Sequence, residues 1–251
     1  MFVMNILKII KKYKENIAIF SVFVAPILLV FWPAITGKFF VEFKEGFGMT
    51  VHYPAMHFLN NIVNTSGIFS SMWLSNYNSG FPIYLSQLGF WHPIYILFFR
   101  VFDYVFAYNL LFHINFILAG IFTYIFSRAI LLSKPASVVA GLTFIFAEIN
   151  MLWAPGHIFS NFIPLIPLFF LSVLKISQSR NWYILLGIFV LALGLLGAFA
   201  EIMLLILVSA SFFALFLDIK KFDKKTGFLR SFATLKKLAL IAAAGIILSL
   251  P

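Results

Sequence analysis

The sequence contains no cysteine and very little charge. Without cysteine there is no disulfide framework, no thiolate metal site and no cysteine nucleophile. Only 10% of the 251 residues are charged, and only 8 are acidic, against roughly 25% charge in an ordinary soluble domain. Such a chain has too few charges to clothe a water-facing surface. No glycine-rich phosphate loop, serine triad or nucleotide-binding signature occurs. What is present instead is apolar: 63% of residues are hydrophobic, 34 are Phe, and the mean hydropathy is +1.03. This composition predicts an all-α, polytopic transmembrane helical bundle.

Apolar runs of about 20 residues suit a bilayer, because a helix rises about 1.5 Å per residue across roughly 30 Å of hydrocarbon. Seven runs qualify, at about 16–35, 107–126, 136–153, 158–174, 182–199, 202–219 and 238–250. The first follows a basic amphipathic lead-in and has no small-residue cleavage site, so it reads as a retained anchor rather than a signal peptide. Between the first and second spans, residues 36–103 form a long loop. In it lie an amphipathic run at 54–74 and another at 94–103, with Pro54 and Pro93 suited to first helical turns. The chain is expected to form a single transmembrane domain over 1–251. The apolar end at Pro251 predicts that this is the N-terminal portion of something longer.

The net charge of +10 does not point to nucleic acid, since the cations lie between the apolar runs. There they set orientation and meet anionic lipid head groups. With the spans threaded in turn, every Lys and Arg except Lys38, Lys44 and Arg100 falls on one side. That side is cytoplasmic by the positive-inside rule. The expectation is a multi-pass inner-membrane protein with a cytoplasmic N-terminus and an extracytoplasmic first loop.

The polar residues of interest then share the outer face. Glu42 and Glu45 follow the first span, where a carboxylate can act as a general base or hold a divalent cation against diphosphate oxygens. The same pair beside Lys38 and Lys44 also reads as a solvated charge cluster. Glu148 and Glu201 lie at span ends, where an ionisable group near hydrocarbon suggests function. Asp218 and Asp223, among the basic residues, read as surface charges. Asn109 and His113, four apart, share a helix face and predict an interhelical hydrogen bond. His52 and His57 lack the spacing of a helical metal pair, so no zinc site is expected. The stretch 76–93 is a polar, aromatic island broken by glycine and proline. Its Tyr77, Phe81, Tyr84, Phe90 and Trp91, with Tyr95 just beyond, suit either an interfacial belt or a platform for a sugar ring or polyprenyl chain. Asn76, Asn78, Ser79 and Gln87 supply amides and a hydroxyl that a sugar could use.

The order of these features resembles the YfhO-like bacterial membrane proteins, related to the GT-C class of multi-spanning glycosyltransferases. The resemblance rests on Gly80-Phe81-Pro82, Gln87 and His92-Pro93, the last standing where a Tyr-Pro pair is usual, and on Gly156-His157 opening a span with Asn161, Pro164 and Pro167 behind it. It implies a GT-C-like fold and transfer of a sugar from a polyprenyl-phosphate donor to a cell-envelope glycopolymer or lipid, outside the cytoplasm. The candidate substrate contacts are Asn76, Asn78, Gly80, Pro82, Gln87, His92, Arg100, His157 and Glu201. One departure stands out: Met49 or Thr50 occupies the place where the class carries a loop acid. Either Glu42 or Glu45 replaces it, or the copy is degenerate, or its task is non-catalytic. The alternatives from other classes are a transporter or flippase of lipid-linked envelope precursors and a non-catalytic assembly subunit.

Overall fold

A computed structural model describes residues 2–35, 53–65, 73–74, 81–82, 92–153, 161–197, 200–220 and 232–250. These residues are helical almost throughout. In order run α1 (Phe2–Val30), α2 (Trp32–Ile35), α3 (Tyr53–Thr65), α4 (Pro93–Val101), α5 (Tyr104–Ala129), α6 (Lys134–Ile145), α7 (Glu148–Trp153), α8 (Leu165–Ser177), α9 (Tyr183–Gly197), α10 (Ala200–Lys220) and α11 (Ala233–Leu248). Between α3 and α4, Trp73–Leu74 and Phe81–Pro82 pair as a minimal antiparallel ladder, β1 and β2. Among the described residues, two helices are long and apolar enough to cross a membrane, Tyr104–Ala129 and Glu201–Lys220. Asn16–Val30, α6, α8 and α9 are apolar but shorter.

Each expected run contains helix, but local chemistry sets different bounds. The run at 136–153 is split into α6 and α7. The Asn150 amide donates to the Phe144 carbonyl, and the Ala147 N–H reaches the same oxygen at 3.4 Å. Side-chain competition of this kind for a helix carbonyl interrupts the regular ladder. The first run is longer than expected, continuing back to Phe2 and passing through Pro26. The start of α4 is as Pro93 predicts: proline stands at the first helical position and the His92 carbonyl accepts from Tyr95 and Ile96. Asp103 then caps α5 by accepting from the Val105 N–H at 3.1 Å.

Packing fixes the direction of each helix. Phe23 of α1 and Phe31, just past its end, meet Tyr124 and Phe112 of α5, so the two run antiparallel. Asn115 of α5 pairs with Asn161, just before α8, and Phe126 of α5 with Phe170 of α8, a parallel arrangement. Close approaches of Gly187 to Ile241 and of Gly245 to Leu191 set α9 parallel to α11. Thus α5, α8 and α10 point one way and α1, α6, α9 and α11 the other. Two buried clusters result. In one, Phe23, Phe31, Phe112, Phe116 and Ile145 join α1, α5 and α6; in the other, α8 to α11 close around Phe169, Val190, Leu191, Ala210 and Ile241. The α5–α6 contact is tight enough that a Cβ on Gly141 would lie 2.9 Å from the Gly120 carbonyl oxygen. Small residues permit this backbone approach.

This alternation segregates charge. Lys14, Arg128, Lys134, Lys175, Arg180, Lys220, Lys236 and Lys237 all lie where α1, α6, α9 and α11 begin and α5, α8 and α10 end. Arg100 lies toward the opposite end. At the basic end the α5–α6 and α8–α9 hairpins close alike, with Leu131 and Ser179 in the left-handed region at φ 73° and 64°. In each, the next N–H reaches back five residues, Leu132 to Ser127 and Arg180 to Lys175, satisfying terminal carbonyls.

Candidate functional site

The non-basic end carries the polar residues. His92, immediately before α4, is 5% exposed, and its ring lies edge-on to Tyr95 with centroids 5.4 Å apart. The edge contacts continue through Phe99 and Tyr104 to Tyr108, seating α4 on the first turns of α5. What admits the imidazole is Gly197, the last residue of α9: a Cβ there would lie 2.8 Å from His92 Cδ2. Gly197 also faces Asn161, whose amide donates to the Gly197 carbonyl at 3.3 Å. Asn115 of α5 in turn donates to Asn161 Oδ1 at 3.2 Å. Four segments distant in sequence thus converge through a chain of directed amides beside a histidine.

The electrostatics of His92 are set by burial. Removal from water lowers its pKa from 6.5 to about 4, so the ring is neutral at pH 7. Its Nδ1 is buried with no hydrogen-bond partner. A neutral imidazole here can donate or accept one proton-mediated contact but brings no positive charge to a phosphate.

Depth can be read along α5. At 1.5 Å per residue, Asn115 lies about 16 Å from the Tyr104 end of this helix. The heads of α8 and α9, which meet it through Asn161 and Gly197, therefore stop well short of that end. Asn109 and His113 occupy α5 nearer Tyr104, both buried. Their expected interhelical bond does not form. His113 Nδ1 instead donates to the backbone carbonyl of Asn109 at 2.7 Å, which leaves Nε2 with its lone pair, and Nε2 and both polar atoms of the Asn109 amide lack partners. A carbonyl only accepts, which fixes the tautomer.

On the other side of Gly197, Glu201 stands in the first turn of α10, exposed, where the helix dipole favours a carboxylate. It edges a groove of about 340 Å³ whose other walls are Leu191 and Leu195 of α9, Met203, Leu204 and Leu207 of α10, and Ile246 of α11. Among the sequence candidates, then, the structure brings His92 and Glu201 to opposite sides of one glycine. Arg100 is exposed in the last turn of α4, about 12 Å along that helix from His92. Pro82 belongs to β2. Glu42, Glu45, Asn76, Asn78, Gly80, Gln87 and His157 lie outside the described residues. Among the described residues, no group of three or more His, Asp or Glu side chains is placed to hold a metal ion.

Gly197 had no place among the sequence candidates, and Asn161 entered only within the second stretch of the resemblance. The available signal was Gly194-Leu195-Leu196-Gly197, a small-residue spacing at a helix end that marks close approach. Asp218 corrects a second reading. It is 4% exposed rather than a surface charge, and its two oxygens accept from the Thr234 and Leu235 N–H groups at 3.1 and 3.0 Å. It thereby caps α11 from the last turn of α10. No protein family, curated protein or solved structure matches this chain.

Proposed function

We propose that the protein is a multi-pass membrane glycosyltransferase of the YfhO-like, GT-C-related kind, with its basic end in the cytoplasm. In this reading it moves a sugar from a polyprenyl-phosphate donor to a cell-envelope polymer or lipid on the other side of the membrane. The observation that carries the reading is the meeting at Gly197 of His92 and Asn161. Each ends one of the two stretches on which the resemblance rests, and they lie 69 positions apart in the chain. One-sided charge and long apolar helices support the membrane setting.

In the proposed step an acceptor hydroxyl oxygen bonds to the anomeric carbon while the bond from that carbon to the donor phosphate oxygen breaks. The phosphate leaves with the electron pair. A carboxylate, Glu42 or Glu45, takes the hydroxyl proton. Arg100 or His157 would meet the charge growing on the phosphate; the neutral His92 ring would bind a sugar hydroxyl. The test is sugar transfer from a radiolabelled polyprenyl-phosphate sugar by the purified protein in lipid vesicles. Wild type should transfer, and Asn161→Ala should lower the rate at least about tenfold, because the amide that holds the Gly197 turn beside His92 is lost. Unchanged transfer by Glu42→Gln/Glu45→Gln would remove those acids from the mechanism, and absence of transfer by wild type would remove the reading.

One observation favours a transporter or flippase instead: the unsatisfied Asn109 and His113 deep on α5, where polar groups in a membrane helix commonly line a path. Movement of a labelled lipid-linked precursor across vesicles, with no sugar transferred, would select it.

A further inference from the structure

We propose that Asn109 and His113 form a binding site on α5 for the hydroxyl groups of a neutral alcohol or polyol. The inference rests on the fold and not on glycosyl transfer. Both side chains are more than nine-tenths buried, at 4% and 6% exposure. Three of their polar atoms have no partner: Asn109 Oδ1, Asn109 Nδ2 and His113 Nε2. Folded chains rarely leave a buried polar group unpaired, and three within one helical turn call for a ligand. Four residues apart, the two side chains share a face with their Cβ atoms about 5–6 Å apart, a span that one small molecule can bridge. The helix facing this pair is also interrupted beside it. Helix α1 ends at Val30, Phe31 forms a turn, and α2 starts again at Trp32. Pro33 supplies a cause, since it cannot donate back to the Leu29 carbonyl. Phe31 itself stands edge-on to the His113 ring, with centroids 6.4 Å apart. In a membrane, broken helices recur where protein binds a polar ligand, because irregular backbone is tolerated there.

The count of donors and acceptors selects the ligand. His113 Nδ1–H is already committed to the Asn109 carbonyl, so Nε2 can only accept. The Asn109 amide adds one acceptor and one donor nitrogen. A cation would suit Nε2 and Oδ1 but repel the amide N–H groups. An anion would suit Nδ2 but repel both acceptors. A hydroxyl donates and accepts at once: it can give its proton to Nε2 and take one from Nδ2, and a second hydroxyl can give to Oδ1. The charge of the surroundings agrees. Neither α5 from Tyr104 to Ser127 nor the stretch 16–35 carries an Asp, Glu, Lys or Arg, so a charged ligand finds no counter-charge on either element. Phe112, edge-on to His113 at 5.6 Å, completes with Phe31 an apolar setting in which a hydrogen bond is stronger than in water. Along α5 the two residues lie about 8 and 14 Å from Tyr104, within reach of a lipid alcohol or a water-borne polyol that arrives from the non-basic side.

The experiment is nitrogen NMR of the full chain, isotopically labelled at histidine, in phosphatidylglycerol nanodiscs. The His113 Nε2 resonance is identified by its loss in His113→Gln. It should start at the position of a nitrogen with a free lone pair and move upfield, saturably, on titration with methyl glucoside or with dioctanoylglycerol. A response to the first probe supports the site as one for a water-borne polyol, and a response to the second supports it as one for a lipid alcohol. Asn109→Leu should weaken the responding probe about tenfold, the worth of one or two hydrogen bonds. Asn109→Ala, which cannot overfill the space, should do the same and decides the matter if the leucine variant does not fold. Ammonium and formate should leave the resonance in place. No shift with either probe, unchanged affinity in the Asn109 variants, or an equal shift with ammonium or formate overturns the proposal. So does a ligand-free resonance already at its hydrogen-bonded position, because a resident water would then hold the site. The readout is binding alone, so a chain that binds a probe but transfers no sugar keeps this site and loses the glycosyltransferase reading.

Discussion

Acidification should destabilise this protein through His92 in a way that can be isolated from every other group. In the folded state the ring has a pKa of about 4 because burial disfavours its cation, whereas in the unfolded chain the ordinary value is 6.5. Between these values the unfolded chain binds more protons, so stability falls as pH falls. The loss begins near pH 6.5 and is complete below about 4. At 1.36 kcal/mol per pKa unit, the full shift corresponds to about 3 kcal/mol, and the interval from pH 7 to pH 5 accounts for about 2 kcal/mol of it. The assay is unfolding in mixed micelles with increasing denaturing detergent, run at pH 7, 6 and 5 on wild type and His92→Gln. Glutamine keeps a polar side chain against Gly197 but cannot titrate, and the backbone carbonyl that starts α4 is unaffected. Wild type should lose about 2 kcal/mol more than His92→Gln over this interval. Parallel pH profiles would refute the reasoning, because they would mean that the folded ring titrates like a solvated one.

Further outcomes follow at four single positions. Asp218→Ala should cost about 2 to 3 kcal/mol, the sum of a lost cap and two buried N–H groups left unsatisfied, while Asp218→Asn should lose roughly half as much; the same unfolding assay at pH 7 reads both. Gly141→Ala should cost about 1 to 3 kcal/mol because the new methyl meets the Gly120 carbonyl and the Phe23 ring. Gly194→Ala should cost less, since only the flexible Met203 side chain stands in the way. Asn109→Leu should be neutral or stabilising by up to about 2 kcal/mol, because a similarly shaped apolar side chain replaces an amide with no partner; a clear loss of stability would show that something hydrogen-bonded occupies the space beside it.

The helices were legible because apolar runs are large signals, and the packed helices alternate in direction along the chain. Boundaries were less so. The break before α7 depends on one asparagine, Asn150, whose side chain takes a carbonyl that helix geometry would otherwise use. Asp218 looked like one more charge in a basic neighbourhood because its partners lie 16 and 17 positions later, on the next helix. The burial of His92 was not legible, because its neighbours in sequence are polar and aromatic. It is buried by what Gly197 lacks, and a missing side chain on a distant helix leaves little trace beside the histidine. The resemblance pointed toward the two stretches that meet there without naming the glycine on which they meet.

The lengths of the helices give that meeting point its meaning. Helices α8 and α9 span about 20 and 22 Å, less than the roughly 30 Å of a hydrocarbon core, whereas α5 extends about 39 Å. In the proposed membrane setting, with the basic ends of the hairpins at one interface, the far ends of α8 and α9 fall about one third of a bilayer below the other. Exposed polar backbone is intolerable at that depth in lipid unless protein side chains or a water-lined recess satisfy it. The Asn115–Asn161–Gly197 chain meets part of this demand, and His92 seals the adjoining space as a neutral ring. In the proposed membrane setting Gly197 thus lies within the depth of the bilayer, its carbonyl held by Asn161 and the space beside its Cα filled by the His92 ring, so the turn is closed by protein side chains rather than left to lipid.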